Sequence, residues 1–392
     1  MTLRFLTSGE SHGRGLLAVV EGLPAGLKVT ENDLEQALSR RRRGYGRGER
    51  MRIEKDRLEI WGGLRGGLTT GGPLGLSIEN TERKEWRPVL DPFDCDPGAS
   101  EAKSISCPRP GHADLPGAVK YGHRDMRNVL ERASARATVA WTAAGTVARL
   151  LLGELGVEIR GSVVSIGGVK AAPPESETEW AAAMDSDLGC PRESDEERFT
   201  AEIRKAIKER ETLGGVFLLS VTGLPPGVGS FVEWDRRLDG RLAGALMAIP
   251  GIKGVETGEG FRLAELPGSA AHDGIFPDGK GGIKRVSNHA GGLEGGMSNG
   301  EELIIRAAMK PIPTLRKPLP SVNLSDGKAL SAHKERGDAC AVPAACVVGE
   351  AMVSWVIAAA IKEQFGGDRI DELKERFETY RARGRSVCHG TD

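Results

Sequence analysis

The spacing of apolar and polar residues predicts five helices. In the first of them, Leu34, Ala37 and Leu38 share one face, and its Thr-Glu-Asn-Asp start is typical of a capping box. An alanine-rich helix is expected to pack closely on several sides, and a largely apolar one is expected to be buried. In chain order, with the alanine-rich helix second and the apolar helix fourth, the predicted helices cover residues 30–43, 126–155, 197–212, 342–365 and 370–381.

Shorter apolar and β-branched runs predict strands at residues 16–20, 58–61, 163–166, 216–221 and 303–308. Strands and helices do not alternate as regular βαβ units. This order favours an α+β fold of layered sheets and helices over a doubly wound parallel sheet.

Domain organisation is inferred from the polar stretches. The most polar and acidic one, residues 171–197, is interpreted as a surface loop or insertion and not as a domain boundary. No other stretch is a convincing linker. We therefore expect one domain over residues 1–392.

Composition narrows the functional classes. The 54 lysines and arginines nearly balance the 55 aspartates and glutamates, so the chain has no overall basic field for nucleic acid or a membrane surface. The 54 glycines are about twice the usual share of roughly 7%, which indicates many tight turns or close backbone approaches to a ligand. No Rossmann or P-loop glycine pattern stands in a strand–helix context.

Cysteine spacing and the ends of the chain suggest an intracellular protein. The six cysteines form no C-x-x-C pair, and no zinc-type spacing links them to histidines, so no metal site is expected. The amino terminus lacks the apolar core of a secretory signal. No uninterrupted apolar run reaches 18 residues, so we expect a cytoplasmic protein with free thiols and no membrane span.

A first candidate site is the Gly-Glu-Ser-His-Gly motif at residues 9–13. It matches the G-x-S-x-G nucleophile elbow of serine hydrolases, with Ser11 as the nucleophile. Only eight residues precede it, however, and an elbow needs several strands ahead of it. The hydrolase interpretation is therefore disfavoured. His12 follows a strand-like run, and either an imidazole facing a cleft or a structural residue in a tight turn fits the pattern.

A second candidate is the run of six arginines with glycines at residues 40–50. Guanidinium groups bind phosphate or carboxylate through paired hydrogen bonds, and glycines let backbone N–H groups approach. Aromatic residues, which stack on single-stranded bases, make up only 5% of the chain. A small polyanionic ligand is therefore favoured over nucleic acid.

Two further motifs carry acid–base candidates. Residues 108–114 contain His112 and Asp114, which are either an oriented catalytic pair or an ordinary hydrogen-bonded turn. Residues 336–345 place Asp338 just before the apolar helix, where the helix dipole stabilises an anion. Asp338 is therefore a candidate either for catalysis or for a plain helix cap.

The remaining two motifs could contact a ligand. In residues 131–136, Arg132 and Arg136 are four apart on a predicted helix and should share a face, with Ser134 beside them. The proline-alternating residues 309–314 predict a rigid extended segment. That segment is either a plain connector or a backbone surface for a ring system.

In chain order, these motifs resemble those of the chorismate synthase family along essentially the whole chain. Any one of them is common, but eight in the same order are specific. The eight are GESHG (9–13), RRRGYGRG (41–48), RPGHAD (109–114), ERASAR (131–136), IKGVETGEGF (252–261), GGLEGGMSNG (291–300), MKPIPT (309–314) and RGDACAVPAA (336–345).

The resemblance implies a fold, a reaction and an assembly. The family has a β-α-β sandwich of antiparallel sheets and layered helices, and it usually forms a homotetramer. It is a carbon–oxygen lyase that converts 5-enolpyruvylshikimate 3-phosphate to chorismate and phosphate by an anti 1,4-elimination, the last common step toward aromatic amino acids. The reaction requires reduced FMN. NADPH is a candidate reductant for the flavin, and an external flavin reductase is expected here because the sequence shows no extra reductase domain.

The resemblance also implies roles for individual residues. His12 matches the histidine that protonates the reduced flavin, His112 the one that protonates the departing phosphate, and Asp338 the aspartate that assists deprotonation at the flavin. Arg41 and Arg47 match arginines for phosphate-bearing ligands, including NADPH. Arg109 and Arg136 are added as substrate anchors by their chemistry and position. The positions matching FMN contacts are Arg132, Ala133, Ser134, Pro250, Gly251, Gly295, Lys310, Pro311, Ile312, Pro313, Thr314 and Arg336.

Several positions depart from the family's usual residues. The family commonly has asparagine where Pro250 stands, serine where Ala133 stands and glutamate where Ala137 stands. None of the departures touches the two histidines or Asp338.

Overall fold

A computed structural model describes residues 2–48, 53–279, 282–334 and 337–389. Within these ranges, the strands are β1 Arg4–Gly9, β2 Gly15–Glu21, β3 Leu58–Gly62, β4 Leu64–Arg65, β5 Leu68–Thr69, β6 Leu74–Glu79, β7 Glu158–Ile166, β8 Val169–Lys170, β9 Gly215–Thr222, β10 Ile252–Thr257, β11 Ile275–Pro277, β12 Ile283–Arg285, β13 Leu293–Glu294, β14 Met297–Ser298, β15 Leu303–Met309, β16 Pro320–Val322 and β17 Ala329–Ser331. The α-helices are α1 Glu31–Arg42, α2 Arg83–Leu90, α3 Pro97–Lys103, α4 Asp114–Tyr121, α5 Arg127–Ala133, α6 Thr138–Gly153, α7 Glu177–Asp185, α8 Glu193–Glu209, α9 Leu238–Met247, α10 Gly268–Ala271, α11 Val342–Phe365 and α12 Ile370–His389.

The two larger sheets of the described residues enclose a helical layer. One sheet has the order β1-β2-β6-β3 and the other β10-β15-β9-β7-β8, and all their pairings are antiparallel. Helix α6 packs on β2 and β6 of the first sheet, and helix α11 packs on β7 and β9 of the second. The predicted α+β fold, with a β-α-β sandwich, is confirmed.

Helices α6 and α11 cross at very close range in the middle of this layer. A Cβ atom placed on Gly145 would lie 2.4 Å from the carbonyl oxygen of Ala351. Helix α11 is 24 residues long and apolar enough to cross a membrane, but 89% of its most apolar stretch is buried inside the protein. It is therefore the central core helix of the sandwich, and the prediction that this apolar helix is buried is confirmed.

The ends of helix α1 follow from its sequence. The Thr30 hydroxyl accepts a hydrogen bond from the Asp33 N–H, and the Asp33 carboxylate accepts one from the Thr30 N–H. This reciprocal pair is the predicted capping box. Leu34 and Leu38 are buried, and arginines form the last turn. The helix therefore delivers its arginines to the edge of the helical layer.

Two predictions about the secondary structure are wrong. Residues 126–155 do not form one helix, because Ser134 takes an extended conformation (ψ 140°) between α5 and a short 3-10 turn, Ala135–Ala137, that leads into α6. Of the two interpretations of residues 171–197, the loop is wrong, because they contain α7 and the start of α8, and the surface insertion stays a prediction. Trp180, a residue of α7, is buried. Burial of this large apolar side chain stabilises a helix that the acidic composition of the segment did not predict.

Candidate active site

His12 lies in the turn after β1, and its ring is held on two sides. Its Nδ1 is 2.9 Å from Oε1 of Glu131, and its backbone N–H donates to Oε2 of the same residue at 2.7 Å. The ring also stacks on Trp86, with the ring centroids 4.3 Å apart. Only 8% of His12 is exposed, so the imidazole is a buried and oriented group.

The helix break at Ser134 separates Arg132 from Arg136. Arg132 is exposed and donates to the carbonyl and hydroxyl oxygens of Thr7 at 3.1 and 2.8 Å. The Ser134 hydroxyl lies 3.1 Å from that of Ser11, beside His12. The prediction that the two arginines share one helical face is wrong, because the chain changes direction between them.

Arg136 points the other way, into a buried acidic pocket. Its guanidinium forms ion pairs with Asp56 and, at 3.4 Å, with Glu54, and its Nε donates to the Asn80 side chain at 3.0 Å. Asp56 takes a positive φ of 48°, a conformation rare for a residue other than glycine. The two carboxylates therefore neutralise Arg136 where it lies.

Arg41, in the last turn of α1, is a buried cation of a different kind. It donates to Thr138 Oγ1 at 2.9 and 3.1 Å and to the Ala135 carbonyl at 3.1 Å. Its Nη1 is buried and has no hydrogen-bond partner among the described residues. Burial foremost, then the charges of Arg136 and Arg47, lowers its pKa from 12.5 to about 9. An anion placed at Nη1 would satisfy both the hydrogen bond and the charge.

The other described arginines of the basic run are directed into separate contacts. Arg40 pairs with Glu350, Arg42 donates to the carbonyl of Glu54 at 3.1 Å, and Arg43 reaches the carbonyl of Asp185 at 3.3 Å. Arg50 lies outside the described residues. In the described part of the run the arginines do not form one continuous exposed stripe, which agrees with the preference for a small ligand over nucleic acid.

Asp338 joins the glycine-rich loop to the approach to α11. Its Oδ1 accepts the Gly48 N–H at 2.6 Å, and its Oδ2 lies 3.3 Å from Nε of Arg47. The helix-cap interpretation of Asp338 is wrong, since the residue preceding α11 is Ala341 and no side chain caps it. Asp338 therefore organises the loop that carries Arg47. Arg336 lies outside the described residues.

His112 docks on the proline-rich segment 309–314. Its Nε2 is 2.7 Å from Thr314 Oγ1, and Lys310 Nζ donates to the Gly111 carbonyl at 2.7 Å. Gly111 has φ +80°, and a Cβ there would lie 2.9 Å from Pro313. Burial first, then the charges of Arg109 and Lys310, lowers the pKa of His112 from 6.5 to about 4. His112 is therefore neutral near pH 7.

Asp114 does not pair with His112, so the interpretation of a hydrogen-bonded His–Asp turn is wrong. Both carboxylate oxygens of Asp114 face Arg109, at 2.8 and 2.9 Å, and the Arg109 N–H donates to it at 3.0 Å. Burial alone would raise the pKa of Asp114, but the hydrogen bonds and charge of Arg109 outweigh burial and lower it. Arg109 is consequently committed to a partner two residues beyond His112.

Hydrogen bonds to the backbone connect the other predicted FMN positions to His112 and Asp338. The Lys310 N–H donates to the Gly251 carbonyl at 2.9 Å, which places Pro250 and Gly251 beside segment 309–314. Thr212 donates to the Ile312 carbonyl at 2.7 Å, and its neighbour Leu213 donates to the Ala339 carbonyl at 2.8 Å. Gly295 lies apart from these contacts, in the turn between β13 and β14, with open space where a side chain would project.

Sequence reasoning assigned no role to several residues that shape this site. Glu131 belongs to a quoted motif, but its contact with His12 spans 119 positions and leaves no local signal. Trp86 stands in an ordinary amphipathic stretch. Glu54, Asp56 and Asn80 carry no recognisable spacing. Among the described residues, no group of three or more metal-ligating side chains is arranged to hold an ion.

Chemically, the site combines oriented proton carriers with cations. Two histidines and an aspartate are each held by named partners, and Nη1 of the buried Arg41 has no hydrogen-bond partner among the described residues. Such a set can bind a phosphorylated or carboxylated molecule and move protons beside it.

Comparisons with known proteins agree with this chemistry. The chorismate synthase family model matches residues 3–361. A chorismate synthase of Desulforamulus reducens is 51% identical over 98% of this chain and 100% of its own length, and one of Moorella thermoacetica is 52% identical over 97% and 98%. A solved structure titled as the crystal structure of chorismate synthase superposes with a TM-score of 0.79 at 40% identity, covering 98% of this chain and 99% of that one. The chain therefore belongs to the chorismate synthase family of carbon–oxygen lyases.

Proposed function

We propose that this chain converts 5-enolpyruvylshikimate 3-phosphate to chorismate and phosphate by an anti 1,4-elimination that requires reduced FMN. The observation that carries the proposal is Arg41, a fully enclosed cation whose Nη1 has no hydrogen-bond partner among the described residues. The charge of Asp56 acts on it most strongly, and those of Arg136, Arg47 and Asp338 follow, so it lies where the candidate groups converge. A substrate with one phosphate and two carboxylates supplies the anion that this position needs.

Arg41 is the favoured direct anchor for the substrate, with Arg47 beside it, whose Nε faces the partly exposed Asp338 at 3.3 Å. The guanidinium of Arg136 is already engaged by two buried carboxylates, and that of Arg109 by Asp114. In this proposal Arg109 and Arg136 contribute positive electrostatic potential around the substrate. Each could bind the substrate directly only by giving up a hydrogen bond to its own carboxylate partner. Removing one partner of a buried ion pair costs about 3–5 kcal/mol, so such a release is the more expensive route.

The FMN would be held by Arg132, Ala133 and Ser134, by Pro250 and Gly251, by Gly295, and by the run from Lys310 to Thr314. The donor set fits a flavin with a phosphate on its side chain, because Lys310 and Arg132 are cations. Gly295 lies apart from them and has open space where a side chain would project. When bound in its reduced form, the flavin supplies electron density while phosphate leaves. The protein's own part is to orient the reactants and hold protons.

His112 would gain its proton only with substrate present. Its pKa of about 4 makes it neutral in the free site, where burial and the cations Arg109 and Lys310 disfavour a further charge. A phosphate dianion beside it reverses that balance and raises its pKa. The proton then lies next to the leaving oxygen, as a general acid requires. His12, held by Glu131, would serve as the second proton carrier, and Asp338 as an acceptor beside the loop of Arg47.

A second copy of the chain would complete the assembly. The outward face of the sheet β1-β2-β6-β3 exposes large apolar side chains, with Leu6 77%, Val19 49% and Trp61 76% exposed. Leu6 and Val19 are cross-strand partners, so they form a contiguous patch. We propose that homotetramer contacts cover this face. The proposal also places the protein in the cytoplasm. There a separate flavin reductase would reduce the FMN with electrons from NADPH.

The test is an anaerobic assay with 5-enolpyruvylshikimate 3-phosphate and chemically reduced FMN. Chorismate and phosphate should appear in equal amounts, and neither should form with oxidised FMN. A repeat with oxidised FMN and NADPH then tells intrinsic reduction from dependence on another reductase. Folded protein that binds FMN but forms no product would overturn the proposal.

Replacing His112 tests its assigned role. His112→Ala should lower turnover by roughly 10²–10⁴-fold, the usual worth of a positioned acid, while FMN still binds. His289→Ala is the matched control, because His289 also uses a ring nitrogen in a hydrogen bond, at 2.9 Å to Glu259, but outside the site. Unchanged turnover in the His112 variant would remove this residue from the mechanism.

A further inference from the structure

We propose that Glu131 is a positioning residue that holds His12 in the tautomer with its proton on Nδ1 and fixes the plane of its ring. The kinetic consequence rests on the proposed function of His12 in the elimination. The tautomer itself does not, because it follows from the contacts alone.

The two carboxylate oxygens of Glu131 have separate tasks. Oε1 lies 2.9 Å from Nδ1 of His12, and Oε2 accepts the backbone N–H of the same residue at 2.7 Å. An ionised carboxylate only accepts hydrogen bonds, so the ring nitrogen facing it must carry the hydrogen. The Glu131 carbonyl also accepts the Ser11 N–H at 2.9 Å. One residue of α5 thus holds both the ring and the backbone of the turn that bears it.

Burial makes this arrangement strong. The side chain of Glu131 is 2% exposed, and its charge is balanced by Arg127 one helical turn earlier, with 3.6 Å between Nη1 and Oε1. A hydrogen bond to a buried ion is shielded from water and shorter and stronger than one between neutral groups. Glu131 can therefore keep its direction while His12 exchanges a proton at its other ring nitrogen.

Trp86 completes the restraint on the ring. The His12 imidazole stacks on the indole with an angle of 29° between the planes. The guanidinium of Arg127 and the ammonium of Lys103 also lie over the indole, at 4.8 and 5.0 Å from a ring centroid. The indole is thus pinned. A half-turn of the imidazole would break the carboxylate contact, and a rotation out of its plane would break the stack as well. Glu131 selects the tautomer, and Trp86 keeps the ring from turning.

Glu131→Gln separates this role from a merely structural one. An amide has one acceptor oxygen and one donor nitrogen, so it cannot accept both the Nδ1–H and the backbone N–H of His12. Either the ring loses its acceptor or the backbone does. In the catalytic triad of serine proteases, replacing the aspartate beside the histidine by asparagine leaves the geometry intact but selects the wrong histidine tautomer. We expect the same exchange here.

The experiment uses full-length protein labelled with ¹⁵N-histidine, examined by solid-state NMR at a pH where the His12 ring is neutral. The His12 signals are assigned by their loss in His12→Asn. Wild type should show protonated Nδ1 and unprotonated Nε2, and Glu131→Gln should shift His12 toward the opposite tautomer. In the anaerobic assay, kcat should fall roughly 10²-fold, as expected for a displaced catalytic group, with FMN affinity unchanged.

Glu179→Gln is the matched control. Glu179 also accepts one backbone N–H, from Glu175 at 2.8 Å, and one side-chain donor, from Arg192 at 3.0 Å, but it lies in α7 far along the chain from His12. Its variant should change neither the His12 signals nor kcat. If Glu131→Gln fails to fold, Glu131→Asp replaces it, which should keep the Nδ1 tautomer but lose part of kcat because the carboxylate is drawn back.

Three outcomes decide the matter. An unprotonated Nδ1 in wild type, or a Glu131→Gln protein with the wild-type tautomer and kcat, would overturn the proposal. If wild type forms no chorismate at all, the proposed function fails, yet the NMR comparison still decides whether Glu131 sets the tautomer.

Discussion

Glu350 is an acidic residue in the middle of the apolar core helix α11, and only 2% of it is exposed. Nη1 and Nη2 of Arg40 donate to its two oxygens at 2.7 and 2.9 Å, and Arg149 lies 3.5 Å away. Burial disfavours the charged form of Arg40, but the charge and hydrogen bonds of Glu350 outweigh it and raise the pKa of Arg40 above its ordinary value. The pair therefore joins the end of α1 to the centre of the fold.

We predict that Glu350→Ala lowers the free energy of unfolding by about 3–5 kcal/mol, because it leaves a buried guanidinium without its counter-charge. The side chain of Arg40 is 17% exposed, so water reaches it only partly. The double variant Arg40→Met, Glu350→Met removes both charges and keeps the volume. It should recover most of the loss, since an apolar replacement of a buried ion pair is often neutral or stabilising.

The assay is urea unfolding followed by circular dichroism, at equal protein concentration for wild type and both variants. A loss below about 1 kcal/mol for Glu350→Ala, the range of an exposed pair, would refute the reasoning. A double variant as unstable as the single one would show that packing, and not the uncompensated charge, dominates.

Three further predictions concern other parts of the fold. Gly145→Ala should destabilise the protein by a net of about 1–3 kcal/mol, because overpacking against Ala351 outweighs the gain in helix propensity. An unchanged unfolding midpoint would contradict this. Burial and neighbouring cations lower the pKa of His112 from 6.5 to about 4, so the unfolded chain binds this proton at a higher pH than the folded one. The free energy of unfolding of wild type should therefore fall as the pH drops from 6.5 to about 4. His112→Asn should make that fall smaller in unfolding experiments at a series of pH values. Thr138→Val removes the hydroxyl that accepts hydrogen bonds from Arg41, and it should raise the substrate KM roughly 10-fold or more with FMN binding unchanged. A KM within about twofold of wild type in steady-state kinetics would show that Thr138 does not position Arg41 for the substrate.

The elements that sequence reasoning placed well are those with a local cause. The capping pair Thr30 and Asp33 is three residues apart, and it marks the start of α1 as predicted. Strand β2 shows buried Leu16, Ala18 and Val20 alternating with more exposed neighbours, which is the period that a sheet with one covered face imposes. The five predicted strands and the helix at 342–365 are also confirmed, because their apolar runs are local features of the sequence. That the whole chain is one domain stays a prediction.

The errors share a physical origin as well. The break at Ser134 has no glycine or proline to announce it, and it arises because Ser134 caps the next turn while Arg136 turns to Glu54 and Asp56. Helix α7 lies in an acidic stretch, and its stability comes from burying Trp180 against the sheet. Local composition records neither effect, because both depend on what the folded chain places opposite these residues.

For the site, the chain's own residues determined which chemistry was available: arginines and glycines for an anion, two histidines and an aspartate for protons, and eight ordered motifs that identify the family. Only the tertiary structure decided how they are used. It set Glu131 against His12 across 119 positions, Asp338 against Gly48 across 290, and Arg41 where its Nη1 has no hydrogen-bond partner among the described residues. Side-chain types and periodicity act over a few residues, whereas these pairings are selected by the packing of distant segments into one dense interior.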